Sequence, residues 1–250
     1  MHRIKPELEK QLGRQSTWLT ESWHWILKTK VLPDYDRLGM KPSALDVGCG
    51  PGFVMESLSS LLNIKGADID EGMVSACEGK GLEAVQAPAE KLPFGDGSFD
   101  VVYCTYLLLW VRDPYEVVAE MKRVSRRWVA CLAEPDFGAR IDYPDRIEPL
   151  TEKIVRGIEN EGGDPFIGRK LRAVFSRNGL DADMGVHPGI WSLDRLRKES
   201  EDEWRWIDMT VSPSEKTDMT QLRGSWDEAV QKGTLFQFNP TFYAVADKKR

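Results

Sequence analysis

The sequence is poor in the residues that usually build metal and nucleophile sites. It holds 3 histidines and 4 cysteines in 250 residues, and Cys49, Cys77, Cys104 and Cys131 lie far apart with no C-x-x-C pair. That spacing excludes a zinc ribbon and a disulfide framework, so no metal is expected. No apolar run approaches the ~18 residues of a bilayer-spanning helix. Met1 is followed by His2, Arg3 and a charged amphipathic stretch rather than an apolar leader. A soluble, cytoplasmic protein without a membrane partner is expected. Positive charge is also short: 34 Lys and Arg face 40 Asp and Glu, a net charge of −6. Proteins that grip phosphate backbones need clustered Lys and Arg, so nucleic acid is not the expected partner. A local basic run at 122–127, KRVSRR, precedes an apolar strand and reads as the solvated end of a helix. Internal repeats and low-complexity segments are absent.

What is present is a globular composition, 41% hydrophobic and 30% charged, enough for one full core with additions. Its most informative stretch is 45–53, LDVGCGPGF, an apolar strand carrying an acid and then Gly48, Gly50 and Gly52. Without Cβ atoms these positions can adopt left-handed backbone angles and let a ligand touch the main chain. A dinucleotide fingerprint, G-x-G-x-x-G, would place its third glycine at the position of Phe53. The pattern is G-x-G-x-G instead. A second strand, 64–67, ends at Asp68, which is 68 − 50 = 18 residues after Gly50, close to the roughly 20 at which an acid meets a ribose hydroxyl in nucleotide-binding α/β folds. The expected ligand is an adenosine compound without a pyrophosphate.

Strands at 43–47, 64–67, 82–86, 99–104 and 128–133 alternate with helical segments at 52–62 and 71–79, which implies a parallel sheet with its ligand beyond the strands' carboxyl ends. An N-terminal helix is expected over 6–32, with Trp18, Ser22, Trp25 and Ile26 on one face and Trp23 and His24 pointing elsewhere. These tryptophans either pack the helix onto the domain or close over a ligand. After the fifth strand come helices at 146–160 and 167–178 and a sixth strand at 180–191, whose His187 is given no role. Residues 192–232 read as mostly helical, rich in Trp204, Trp206 and Trp226, and 234–247 as a last strand.

With the glycine loop LDVGCGPGF, the second-strand acid in GADIDEGM and the stretch APAEKLPFGDGSFDVVYCTYLLLW in order, the chain resembles the class I S-adenosylmethionine-dependent methyltransferases. The nearest branch is the small-molecule one that includes the quinone-biosynthesis C-methyltransferases. The resemblance implies a Rossmann-like α/β fold, a seven-stranded mostly parallel sheet with an antiparallel last strand, plus a helical lid and insertions. Residues 1–42 would be lid and linker and 43–250 the catalytic domain, with its core at 43–135, substrate-pocket additions within 136–179 and 192–232, and a final strand at 234–247. The cofactor would be S-adenosylmethionine and the partner a small-molecule acceptor, with the protein a monomer or homodimer. Gly48, Cys49, Gly50 and Gly52 would approach the cofactor's methionyl and ribose portion, Asp68 would take the ribose diol, Ile69 and Met73 would sandwich the adenine, and Cys104 would lie at the end of strand four. Asp46, on a buried strand, should be tied to loop amides or, through water, to the cofactor's ammonium.

The chain also departs from that pattern. Pro88 stands where relatives often carry an acid for the adenine amino group, leaving Ala89 and Glu90 to that task, and Leu109 stands where many have histidine. An acceptor activated by Tyr106, Glu134, Asp136 or Tyr143, or one needing no base, is therefore expected. Trp18 and Arg140 are the expected acceptor contacts, although Arg140 can instead pair with Asp136 or Asp142. The alternatives are a non-catalytic S-adenosylmethionine or S-adenosylhomocysteine binding protein and, with less support, an RNA or protein methyltransferase.

Overall fold

The computed structural model describes residues 6–249; the expected lid's first residues, 1–5, and Arg250 lie outside them. The chain opens with helix α1 (Pro6–Ile26), continued by a π-helical turn at Leu27–Val31 and a short α2 (Pro33–Asp36). Then follow β1 (Ser43–Val47), α3 (Phe53–Leu58), β2 (Asn63–Asp68), α4 (Glu71–Gly79), β3 (Ala84–Gln86), β4 (Phe99–Thr105), α5 (Pro114–Val124) and β5 (Ser125–Pro135). The second half comprises β6 (Ile141–Tyr143), α6 (Pro149–Asn160), α7 (Ile167–Arg177), β7 (Ala182–Val186), α8 (Leu193–Thr210), α9 (Met219–Lys232), β8 (Phe236–Phe238) and β9 (Thr241–Asp247).

Seven strands form one sheet in the order β3-β2-β1-β4-β5-β9-β7. Strands β1 to β5 pair in parallel, while β9 runs antiparallel between β5 and β7. The order reverses between β1 and β4, and their carboxyl ends are where ligands bind in such sheets. The expected last strand divides in two, because β8 leaves the sheet to form a ribbon with β6. Helices α4 and α5 start on the side-chain caps Asp70 and Asp113, each accepting from amides of the first turn.

The sheet is buried on both faces. Leu45, Val47, Val102 and Val129 pack under α5 to α9, and Ala44, Val101, Tyr103 and Ala130 pack under α1 and its continuation. Here one expectation fails. Helix α1 and its π-helical continuation bury Leu19, Trp23, Ile26 and Leu27, whereas Trp25 is 53% exposed, with the Lys30 ammonium 5.5 Å from its ring centroid. The aliphatic neighbours decide the face, since Leu19, Ile26 and Leu27 have no polar atom to offer water.

The basic run KRVSRR is split between the end of α5 and the start of β5, and its arginines are engaged. Arg123 pairs with Glu120 and Asp96, Arg126 with Asp100, and Arg127 with Asp34 and Asp247. No helix among the described residues is long and apolar enough to cross a membrane.

Candidate active site

The turn that leaves β1 passes through Gly48 and Gly52 with φ of 71° and 84°, the left-handed region that side chains disfavour. A Cβ on Gly48 would lie 2.7 Å from Leu107, and one on Gly52 2.5 Å from Leu82. The loop's amides are held from β2: Gly48 N and Cys49 N donate to Ala67 O at 2.8 and 3.1 Å, and Gly50 N donates to Asp68 Oδ2 at 2.8 Å. Asp68 Oδ1 accepts from Asp70 N at 3.0 Å. The acid that ends β2 thus fixes the glycine loop and keeps spare lone pairs at the strand ends.

Of the two partners expected for Asp46, the loop amides are not the ones it takes. It is wholly buried and neither carboxylate oxygen has a hydrogen-bond partner. The loop amides are not available to it because Ala67 O and Asp68 already take them. The Tyr103 phenol lies beside it, equally buried, without completing a bond of good geometry. Burial therefore drives the Asp46 carboxyl well above the usual carboxylate range.

Around this loop, Ile69 is 69% exposed, Glu90 is exposed, and Met73 and Ala89 are half-buried, together rimming an open face beyond the strands. Two cysteines turn inward. Cys49 Sγ sits 3.9 Å from Cys77 Sγ, and Cys77 donates to Gly50 O at 3.2 Å. Cys104 is a correction, since its thiol lies in the core beside Cys131, its register partner on β5, leaving only backbone to face a ligand. Cys104, Cys131 and Glu134 also bring three possible ligand atoms within 4.8 Å of one another, but Glu134 is already engaged.

Glu134 is fully buried and accepts from Leu107 N at 2.9 Å, Leu108 N at 2.7 Å and Leu109 N at 3.3 Å. Burial pushes its carboxyl up to about 8, against the pull of these amides. It holds a turn and is not placed to take a substrate proton. Immediately before that turn, Tyr106 adopts φ 52°, a strained conformation for an aromatic residue, and its amide donates to Ala133 O at 2.7 Å. Asp136 is likewise committed, to the Arg169 guanidinium. Tyr143 stands 54% exposed on the β6–β8 ribbon, away from the other candidates. Of the four expected catalytic residues, only Tyr106 reaches the cavity described next.

That cavity, of about 170 Å³, opens beyond the ends of β4 and β5, between α1 and α8. Its aromatic wall includes Trp18 against Trp191 at 5.2 Å between centroids and Phe137 stacked on Trp206 at 5.7 Å. Arg140 lines it too, with Nε donating to Asp142 Oδ2 at 2.7 Å and both side chains buried. Sequence reasoning missed several lining residues, among them Gln11, Glu203, Gln237, Asn239 and His187. A polar residue on the apolar face of α1 or α8 was the available signal for Gln11 and Glu203. His187 offered none. Its Nε2 donates to Leu132 O at 2.7 Å, so Nδ1 accepts from Ser22 on α1, also at 2.7 Å, and burial lowers its pKa.

Residues 45–130 match the family model described as a methyltransferase domain. That stretch is similar to a methyltransferase domain, in line with the resemblance of the sequence to the class I S-adenosylmethionine-dependent methyltransferases. It is 34% identical over 172 residues to an uncharacterized 37.1 kDa protein in a transposon of Streptomyces fradiae, covering 60% of this chain and 46% of that one. It is 31% identical over 144 residues to demethylmenaquinone methyltransferase of Staphylococcus aureus strain MRSA252, covering 53% and 59%. The chain thus spans about half the length of these curated relatives. Its fold resembles that of a geranyl diphosphate methyltransferase solved in complex with S-adenosylmethionine, with a TM-score of 0.52 at 15% identity over 94% of this chain and 85% of that one. The family match takes in the glycine loop, Asp68 and the Tyr106 turn. The cavity's walls from α1 and from Pro135 onward lie outside it.

Proposed function

We propose that the protein transfers a methyl group from S-adenosylmethionine to a small-molecule acceptor held in the tryptophan-lined cavity. The observation that carries this reading is the orphaned, buried Asp46 carboxylate beneath a loop stripped of Cβ atoms, because an acid without a protein partner in that position fits a cationic ammonium group. Gly48, Cys49, Gly50 and Gly52 approach the cofactor through backbone, Asp68 accepts from the ribose diol, Ile69 and Met73 flank the adenine, and Ala89 and Glu90 serve its edge. The cofactor supplies an electrophilic methyl carbon on a sulfonium; the new bond to the acceptor forms as the carbon–sulfur bond breaks.

The chain's own contribution is alignment. In-line displacement gains most from holding nucleophile and carbon at near-attack distance, and Tyr106, bordering both the glycine-loop turn and the cavity, is the residue in position to do so. Its phenol stays neutral, since burial and then the nearby Glu134 raise its pKa against the pull of Thr241, so it orients the acceptor by hydrogen bonding rather than as a phenolate base. Helix α1 acts as a lid, contributing Trp18 and Gln11. With Glu134 and Asp136 both engaged, the reaction suits an acceptor that needs no protein base, its proton leaving to solvent. The same two commitments keep open a non-catalytic cofactor-binding role, which turnover on any acceptor would exclude.

Calorimetric titration of the protein with S-adenosylmethionine, S-adenosylhomocysteine and NAD, beside Asp68→Ala, tests the cofactor assignment. Binding of the first two, lost in the variant and absent for NAD, is the expected result. Binding of NAD in preference to both would overturn it.

A further inference from the structure

The cavity is apolar on its walls and unsatisfied at one pole. Five buried side-chain atoms that find no partner in the protein belong to residues lining it: Gln11 Nε2, Trp18 Nε1, Arg140 Nη2, Gln237 Oε1 and Asn239 Oδ1. Buried polar groups are normally paired, and several exceptions in one cavity point to a ligand that pairs them. The amide orientations are fixed for the two glutamines, since Gln11 Oε1 accepts from Arg14 Nη1 at 2.6 Å and Gln237 Nε2 donates to Glu203 Oε1 at 3.3 Å. Gln11 Nε2, Trp18 Nε1 and Arg140 Nη2 are therefore donors and Gln237 Oε1 is an acceptor, with the Asn239 amide also lining the cavity.

Charge narrows the class further. Arg140 is already balanced by Asp142 at 2.7 Å, and Glu203 is buried beside Gln237. An incoming carboxylate would offer acceptors only, leave Gln237 Oε1 unpaired, and add an unmatched negative charge where Asp142 and Glu203 are already balanced by Arg140 and Arg14, a costly arrangement in a low dielectric. A cavity of about 170 Å³ compares with the roughly 150 Å³ that accepts a benzene ring, and the Trp18, Trp191, Trp206 and Phe137 rings favour a flat aromatic body.

From these observations we infer that the acceptor is a neutral aryl compound bearing both a hydrogen-bond donor and an acceptor at one end, of the hydroxyaryl amide or hydroxyaryl ketone type, read by Gln11, Arg140, Gln237 and Asn239. This rests on the cavity being the acceptor site of the proposed methyl transfer.

The test uses the full chain and two probes of equal size, 2-hydroxybenzamide and 2-hydroxybenzoate, titrated by tryptophan fluorescence with and without saturating S-adenosylhomocysteine. The amide should bind about tenfold more tightly than the carboxylate, and Gln11→Met and Gln237→Met should each weaken the amide several-fold, as loss of a buried hydrogen bond requires. S-adenosylhomocysteine affinity, unchanged in both variants, reports that they are folded. Equal or tighter binding of the benzoate, no binding of either probe to protein that binds S-adenosylhomocysteine, or indifference to both substitutions would each overturn the inference. An amide preference in protein that fails to bind S-adenosylhomocysteine would sink the cofactor reading, and with it the assignment of this ligand as a methyl acceptor, while leaving the cavity's ligand preference as measured.

Discussion

Replacing Glu134 by glutamine isolates the carboxylate that shapes the centre of the site. The side chain accepts from three successive amides, Leu107, Leu108 and Leu109. In Glu134→Gln the remaining oxygen can serve Leu107 and Leu108, but the new NH2 group meets the Leu109 amide donor to donor. A buried donor left unpaired costs roughly 1–3 kcal/mol, and for a chain of this length each kcal/mol lowers Tm by about 2–4 °C. A fall of roughly 6 °C at mildly acidic pH is the central expectation, read by scanning calorimetry at fixed ionic strength. The pH dependence has a definite sign. Burial raises the folded-state pKa from 4.5 to about 8, so between those values the folded protein keeps a proton that the unfolded chain has released. The stability contributed by this proton is complete below the lower value and is lost as pH rises toward the upper, by at most about 1.4 kcal/mol per pH unit. Glutamine does not titrate. The variant's deficit relative to the wild type must therefore shrink as pH rises through that window. A deficit that stays constant, or that widens, would refute the reasoning, as would melting temperatures that coincide at acidic pH.

Other substitutions probe the remaining joints. Asp68→Ala removes two charge-assisted contacts to a ribose diol and frees Gly50 N, and should weaken S-adenosylmethionine by about a hundredfold or more in calorimetric titration; a change under tenfold would count against Asp68 as the ribose acid. Gly157→Ala puts a Cβ 2.0 Å from Thr210 O, a main-chain atom, so α6 must shift from α8 and stability should fall by about 1–3 kcal/mol; an unchanged urea midpoint would contradict that contact. Trp23→Ala, at a fully buried position, should cost roughly 3–5 kcal/mol, whereas Trp25→Ala should stay within about 0.5 kcal/mol. Comparable losses from the two would reject the observed face of α1.

The parallel core was legible because its signals are local. Alternating apolar strands, the three glycines after β1 and the acid at the end of β2 need no knowledge of distant residues, and the structure places all of them at the reversal of strand order. The errors fall where a distant segment decides the outcome. Of the two partners expected for Asp46, loop amides or a water-mediated cofactor ammonium, the first is closed because the Ala67 carbonyl and Asp68 claim those amides through the register of β1 on β2. The face of α1 was misread because a tryptophan ring suits either an apolar or a half-wet surface, and only the sheet beneath distinguishes Trp23 from Trp25. Tyr143 follows closely on β5 in sequence, yet its pairing with Phe236 on β8 carries it out to solvent. The polar pole of the cavity was illegible for a related reason: Gln237 and Glu203 are 34 residues apart, and Gln11 comes from the other end of the chain.

The turn after β4 ties these regions into one mechanical unit. Tyr106 adopts a left-handed conformation that costs on the order of 1–3 kcal/mol in a non-glycine residue, and it persists because Ala133 O and the Glu134 carboxylate pin the amides from Tyr106 to Leu109. Leu107, in the same turn, is the residue that a Cβ at Gly48 would strike, so the turn rests directly on the glycine loop. Tyr106, Leu109 and Trp110, from the same few residues, line the cavity. A ligand that orders the glycine loop must therefore act on the turn that shapes the cavity, and by linkage an occupant of the cavity must act back on the loop with the same coupling free energy. In Glu134→Gln, where the turn is loosened, that coupling should weaken before either site loses its own contacts.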